Sequence, residues 1–306
     1  MKTNKIGLGC WAFGQDLWQQ EQSNSIKTIH QALRLGIRDF DTAQSYGKGK
    51  SEQVLTQQLR RFSNEINRSE LSIATKITLP HKTDQIKTLV SRSLKRMELT
   101  YLDILYIHWP DSKKELAPYL KELLILKEQK LIKAIGLSNF TLPLLKEAYT
   151  TTPIDYIQIP LSLLWIRSYN EVKQFCKEHK IKIVTYSPLG VGLLSGKYRT
   201  EINDWRTSLF PFKAEYQKPF HNLLSVLEEV SKEENVSMAT VALAWVLSHP
   251  VNLVLTGSRT KEQLSATLEA TKIDLSVKTL ATLNEAAKLF DSHIDPKADN
   301  LFFHTY

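Results

Sequence analysis

The stretch LSIATKITLPHKTDQIKTLVSRSLKRMELTYLDILYIH, residues 71–108, decides the fold. It opens on a short apolar and β-branched run, 71–76, and passes through a polar turn into 83–97, where apolar residues recur at three- and four-residue spacing. It closes on a second apolar run, 102–108. Two short runs joined by one helical period read as a strand, a crossover helix and a second, parallel strand. Each run also ends on a residue type seldom met inside apolar sequence, Lys76 in the first and His108 in the second.

The unit repeats in both directions. Further strand candidates lie at 6–10, 38–41, 132–137, 156–159, 183–186 and 253–256, each followed by a polar or Gly/Pro-containing turn. Helical periods fill 25–35, 51–62, 115–129 and 142–149. Together these predict a single (β/α)₈ barrel, a fold whose usual size accommodates 306 residues as one domain, 1–306. No linker, charge block or low-complexity tract suggests a second one. A doubly wound open sheet is the alternative, but the first turn, Gly7-Leu8-Gly9-Cys10-Trp11-Ala12, lacks the third glycine of the dinucleotide fingerprint. After the seventh strand the regularity fails, and the mixed, aromatic stretch 190–218 has the length of a binding loop or clasp.

Composition excludes several function classes. Hydrophobic residues at 42% and charged residues at 24% are those of a globular protein. No apolar run approaches the ~18 residues that span a bilayer, and the first residues lack a signal-peptide core, so no membrane association and a cytoplasmic address are expected. Cys10 and Cys176 are the only cysteines, too few for a disulfide framework, and no Cys/His cluster has zinc-ligand spacing, so no metal is expected. The net charge of +8 comes from scattered Lys and Arg, which argues against nucleic acid and suits an anionic small-molecule cofactor.

A barrel of this kind builds its active site at the C-terminal ends of its strands. Those positions carry Asp41, Lys76, His108, Ser138 with Asn139, Gln158, Tyr186 and Gly257, with Tyr46 shortly past Asp41. Singly, Asp41 could cap a turn, Lys76 could snorkel and His108 could be a satisfied core histidine. Their coincidence at three consecutive strand ends favours a catalytic reading.

The segment Asp39-Phe40-Asp41-Thr42-Ala43-Gln44-Ser45-Tyr46-Gly47 resembles the signature of the aldo-keto reductases. Motifs at 137–140, around Gln158, and at 186–189, 194–197 and 257–260 resemble that family in the same order, and the resemblance runs from about Ile6 to Phe290. It implies an NAD(P)H-dependent oxidoreductase of the bacterial-type branch that reduces aldehydes and ketones to alcohols by direct hydride transfer. It also implies a catalytic tetrad of Asp41, Tyr46, Lys76 and His108. Tyrosine is a poor acid near neutrality unless a cation makes its phenolate easier to reach, and Lys76 is expected to be that cation, kept protonated by Asp41, while His108 orients the carbonyl.

The same resemblance assigns Ser138, Asn139 and Gln158 to the nicotinamide carboxamide and Tyr186 to its ring. It assigns Ser187, Leu189, Lys197 and Arg206 to the pyrophosphate, and Gly257, Arg259 and Gln263 to the adenosine 2′-phosphate, which tilts the cofactor toward NADP over NAD. Trp11 and Trp109 are expected in the substrate pocket, with Trp165 and Trp205 as further candidates. Two positions depart from the family. Ala266-Thr267 replaces the usual Glu-Asn of the adenine-binding helix, and only about five residues precede the first strand, where most members carry a hairpin plug. An open barrel floor is therefore expected, covered by the aromatic tail 301–306 or by a partner chain. Two other functions fit the barrel: a non-catalytic nicotinamide sensor or partner subunit, and a lyase or isomerase using Lys76 as a Schiff base.

Overall fold

Every strand candidate is found within one residue of its expected limits in the computed structural model, which describes residues 5–14, 18–197 and 204–295. The strands are β1 (Ile6–Gly9), β2 (Asp39–Asp41), β3 (Ser72–Ile77), β4 (Leu102–Ile107), β5 (Ile132–Ser138), β6 (Tyr156–Pro160), β7 (Lys182–Tyr186) and β8 (Leu253–Thr256). All pair in parallel and in chain order, and β8 closes on β1 with Gly7 opposite Leu255. The crossovers are α1 (Gln22–Arg34), α2 (Lys50–Arg60), α3 (Gln85–Met97), α4 (Ala117–Glu128), α5 (Leu142–Thr151) and α6 (Arg167–Glu178). α7 (Ala214–Glu233) and α8 (Met238–Ser248) lie between β7 and β8, and α9 (Lys261–Glu269) and α10 (Val277–His293) follow.

The stretch read as one long loop, 190–218, is partly helical. Short 3₁₀ turns occupy Gly190–Ser195, Trp205–Ser208 and Phe210–Phe212, and α7 begins at Ala214, while 198–203 lie outside the described residues. α8 escaped a periodicity reading because it is apolar on nearly every face; Val241 to Leu247 are all buried, so no polar stripe marks it. Among the described residues no helix is long and apolar enough to cross a membrane.

Side chains alternate across each strand. Leu105, Ile107, Ile135, Leu137, Ile157 and Ile159 face outward into the core beneath the helices. Ala74, Ile104, Tyr106 and Ala134 form a separate cluster inside the barrel, with Tyr156 packed against it. Gly136 faces Tyr106, and a β-carbon there would overlap the phenol ring, so its missing side chain makes room for that ring. Tyr106 and its neighbours fill the lumen and leave a void of about 10 Å³, at or below the room one water needs, whatever segment covers the floor. The tail 301–306, proposed as a cover, lies outside the described residues.

Candidate active site

The ladder of β2 continues beyond Asp41, because Thr42 N–H donates to Ala74 O (2.9 Å) and Gln44 N–H to Lys76 O (3.1 Å). The chain then turns at Gly47 (φ +58°), which packs on the backbone of Gly14 so closely that neither glycine has room for a β-carbon. This contact between the β1 and β2 turns swings Tyr46 over the end of β3. Lys76, 1% exposed, donates to Asp41 Oδ1, to Thr42 O (2.9 Å) and to Tyr46 Oη (3.4 Å). An ammonium has three N–H donors, so all are used, and no lone pair is left for attack on a carbonyl. The Schiff-base reading of Lys76 loses its support on that count.

Because Tyr46 Oη accepts from Lys76, its own proton is free to point into the cleft. The phenol is pushed well above its usual value by burial, then by the Asp41 carboxylate and by Cys10. Burial is the largest of these causes, because a phenolate loses its hydration in a site closed to water. Tyr46 thus holds its proton at neutral pH. His108, whose N–H continues the sheet to Ile77 O (2.8 Å), is pushed down to about 3 by burial and then by Lys76, so its imidazole is neutral. Its Nδ1 contacts Ser45 Oγ at 3.4 Å, and its ring stands edge-on to Tyr46 at 5.7 Å.

A cleft of about 590 Å³ runs from these residues to the N-terminus of α9, and it brings together Trp11, Trp109 and every residue expected to hold a cofactor. At the near end, Asn139 adopts φ +65°, a strained conformation that asparagine tolerates better than most residues. Its Nδ2 donates to His108 O (3.1 Å) and Ser138 Oγ (3.0 Å), and its Oδ1 accepts from Tyr186 Oη (2.6 Å). Gln158 Nε2 donates to Asp41 Oδ2 (2.8 Å), tying this polar group to the Asp41–Lys76 pair. Ser187 (φ +53°) and Val191 (φ +51°) bend the next segment along the wall.

The far end is cationic. Lys197 and Arg259 line it, and Thr260 caps α9 by accepting from Gln263 N–H (3.3 Å), an arrangement suited to phosphate. Gln263 Oε1 accepts from Arg259 N–H (2.9 Å). Arg206 also lines the cleft, but it is paired with Asp204 (2.6 Å) and donates to Val191 O (3.1 Å). The charge it offers a pyrophosphate is therefore largely neutralised, and it anchors the loop. Ala266 and Thr267 lie in the lining, where they offer a methyl group and one hydroxyl. A dinucleotide fits the residues present: a polar group, an aromatic ring and a basic end stand in that order along one cleft.

Sequence reasoning missed Trp18, which no motif marks. It lines the cleft, stands edge-on to Trp11 (5.3 Å) and Trp205 (5.2 Å), and lies beneath the guanidinium groups of Arg259 (5.5 Å) and Arg206 (6.0 Å). Trp205 backs the pocket through Trp11 and Trp18. Trp165 does not reach it, being buried against Phe210 in the core. Among the described residues no cluster of His, Cys, Asp or Glu could hold a metal ion.

The model of the Aldo/keto reductase family matches residues 5–288. The chain is 31% identical to Aldo-keto reductase YhdN of Bacillus subtilis (strain 168), over 93% of this chain and 90% of that one. It is 27% identical to the NADH-specific methylglyoxal reductase of Escherichia coli (strain K12), over 94% of this chain and 96% of that protein. In structure it is similar to the glycerol dehydrogenase AKR11B4 from Gluconobacter oxydans, with a TM-score of 0.83 at 26% identity, over 95% of this chain and 94% of the other.

Proposed function

The chain belongs to the aldo/keto reductase family, an oxidoreductase family acting on small carbonyl compounds, and from that premise we propose that it reduces aldehydes with NADPH, using Tyr46 as the proton donor. The observation that carries this reading is the arrangement of Lys76 donors: one N–H reaches Tyr46 Oη while Asp41 and Thr42 O take the other two.

When bound, the nicotinamide supplies the hydride. The remaining work belongs to the chain. As negative charge grows on the carbonyl oxygen, Tyr46 delivers its proton there, and the Lys76 N–H already directed at Oη stabilises the phenolate left behind. Asp41 and Thr42 O fix that ammonium in place. His108 is neutral and so serves as a hydrogen-bond donor that orients the carbonyl. Ser138, Asn139 and Gln158 present donors and acceptors to a carboxamide, with Tyr186 alongside. Trp11 and Trp109 offer flat apolar walls to a substrate and keep water from the reacting atoms.

The preference for NADPH rests on Arg259, whose guanidinium can pair with a 2′-phosphate at the start of α9. The short side chains of Ala266 and Thr267 leave that contact as the main polar hold on the adenosine end. The test is direct: titrate protein fluorescence with NADPH and NADH, then assay a panel of aromatic and aliphatic aldehydes. Tight NADPH binding with turnover supports the reading. Tight binding with no turnover on any aldehyde would remove catalysis from it and leave a nicotinamide sensor.

A further inference from the structure

The strongest feature outside the tetrad is a buried carboxylate directly behind it. Glu52, in the first turn of α2, is fully buried. Its Oε1 accepts from Thr75 Oγ (2.7 Å) and from Ser93 Oγ (2.7 Å), and its Oε2 is paired with the Arg96 guanidinium. Thr75 precedes Lys76 on β3, and Ser93 and Arg96 lie on α3. Ser93 Oγ, having donated to Glu52, accepts from Gln44 Nε2 (2.8 Å), which also donates to Leu89 O (2.8 Å). Gln44 stands two residues before Tyr46. At the far end of the same loop Gly49 (φ +91°) presses against Arg96, where a β-carbon would overlap the guanidinium.

One carboxylate thus joins the strand that carries Lys76 to both ends of the loop that carries Tyr46. We propose that Glu52 is a positioning residue, holding Tyr46 Oη at hydrogen-bond distance from Lys76 through Thr75 on one side and through Ser93 and Gln44 on the other. The proposal rests on Tyr46 being the proton donor. It follows from how the separation is fixed: the ladder to β3 ends at Gln44 N–H, and Tyr46 lies beyond it on irregular backbone with positive φ at Gly47, Lys48 and Gly49. A buried charge is costly unless its partners are all present, and here they are. The cost is borne at the one place where the loop, β3 and α3 meet.

The test uses Glu52→Gln, which keeps the size but removes the charge that Arg96 pairs with and one of the two acceptor oxygens, and Gln44→Leu, which cuts the link to the loop without disturbing the Glu52–Arg96 pair. The second variant keeps the question open to refutation if the first fails to fold. A misplacement of about 1 Å in a reacting group can cost on the order of 10²-fold. We expect kcat to fall about 10- to 100-fold in Glu52→Gln and less in Gln44→Leu, with NADPH affinity within about twofold of wild type, as befits groups remote from the cofactor. The alkaline limb of the kcat profile should move upward as the phenol loses the ammonium. Crystal structures of both variants read the Tyr46–Lys76 distance without any turnover, which separates this idea from the reductase reading. A folded variant that keeps the 3.4 Å contact overturns the proposal even if the protein reduces no aldehyde; a widened contact supports it.

Discussion

Replacing Lys76 with Met removes the cation and leaves the Asp41 carboxylate in a site where the two side chains are 1% and 7% exposed. Breaking a buried pair by deleting one partner costs about 3–5 kcal/mol, because the remaining charge is stranded without solvent. For a chain of this size that corresponds to a fall in Tm of roughly 5–8 °C. Gln158 Nε2 still donates to Asp41, which places the loss nearer the lower figure. Adding Asp41→Asn removes the stranded charge, and the double variant should recover more than half of the lost stability while remaining inactive, since Tyr46 then has no ammonium at its oxygen. Urea unfolding and thermal melts of the four proteins, with NADPH-dependent aldehyde reduction alongside, complete the cycle. If Lys76→Met unfolds within about 1 kcal/mol of wild type, or the double variant is no more stable than the single one, the pair is not the buried, mutually dependent unit described here.

Tyr46→Phe gives up one long hydrogen bond, so it should stay within about 1 kcal/mol of wild-type stability, keep its NADPH affinity and lose about 10²-fold or more in kcat; near-normal aldehyde reduction would contradict the donor assignment. Arg259→Ala should weaken NADPH binding by about 10- to 100-fold, the scale of a hydrogen bond to a charged group, and leave NADH binding unchanged; equal effects on both cofactors in fluorescence titration would sink the 2′-phosphate contact. His108 has a folded value of about 3 against 6.5 in the unfolded chain, so the unfolded state binds the extra proton, and stability present above pH 6.5 is lost progressively as the pH falls toward 3. His249, also pushed down by burial, contributes with the same sign, and His108→Gln should remove only the first share of the urea-measured slope. The kcat profile of the wild type should accordingly have no limb near pH 6–7 that vanishes in His108→Gln.

The barrel was legible because its two periodicities are written plainly. The runs ending in Lys76 and His108 are too short and too apolar for surface helices, and the segments between them carry a single apolar stripe. Strand ends then name the chemistry, since Asp41, Lys76 and His108 have no reason to interrupt apolar runs unless something there needs them. α8 was not legible for the opposite reason: a helix buried on all sides carries no contrast. How the lumen is filled was not legible, because Tyr106 on β4 occupies the space left by the absent side chain of Gly136 on β5. That pairing depends on register, two residues facing each other across neighbouring strands, which a linear reading does not contain.

Residue types indicated who stands at the site but not which sign their interactions take. Lys76 beside Tyr46 suggests a phenol made more acidic, and this would hold if the ammonium acted alone. Burial and the Asp41 carboxylate push the phenol the other way, so the direction of its shift follows from the pocket and not from the residue list. Arg206 repeats the lesson at the other end of the cleft, where Asp204, two residues earlier, takes its charge. Arg259 is less tightly held: its guanidinium contacts the Trp18 carbonyl at 3.4 Å and the Trp18 ring, and Asp204, which Arg206 grips directly, acts on it only from further away. Of the two arginines that the sequence placed at the phosphates, the structure therefore leaves the stronger positive field at Arg259, and the Arg259→Ala titration should reveal a larger effect on NADPH than the matching Arg206→Ala experiment.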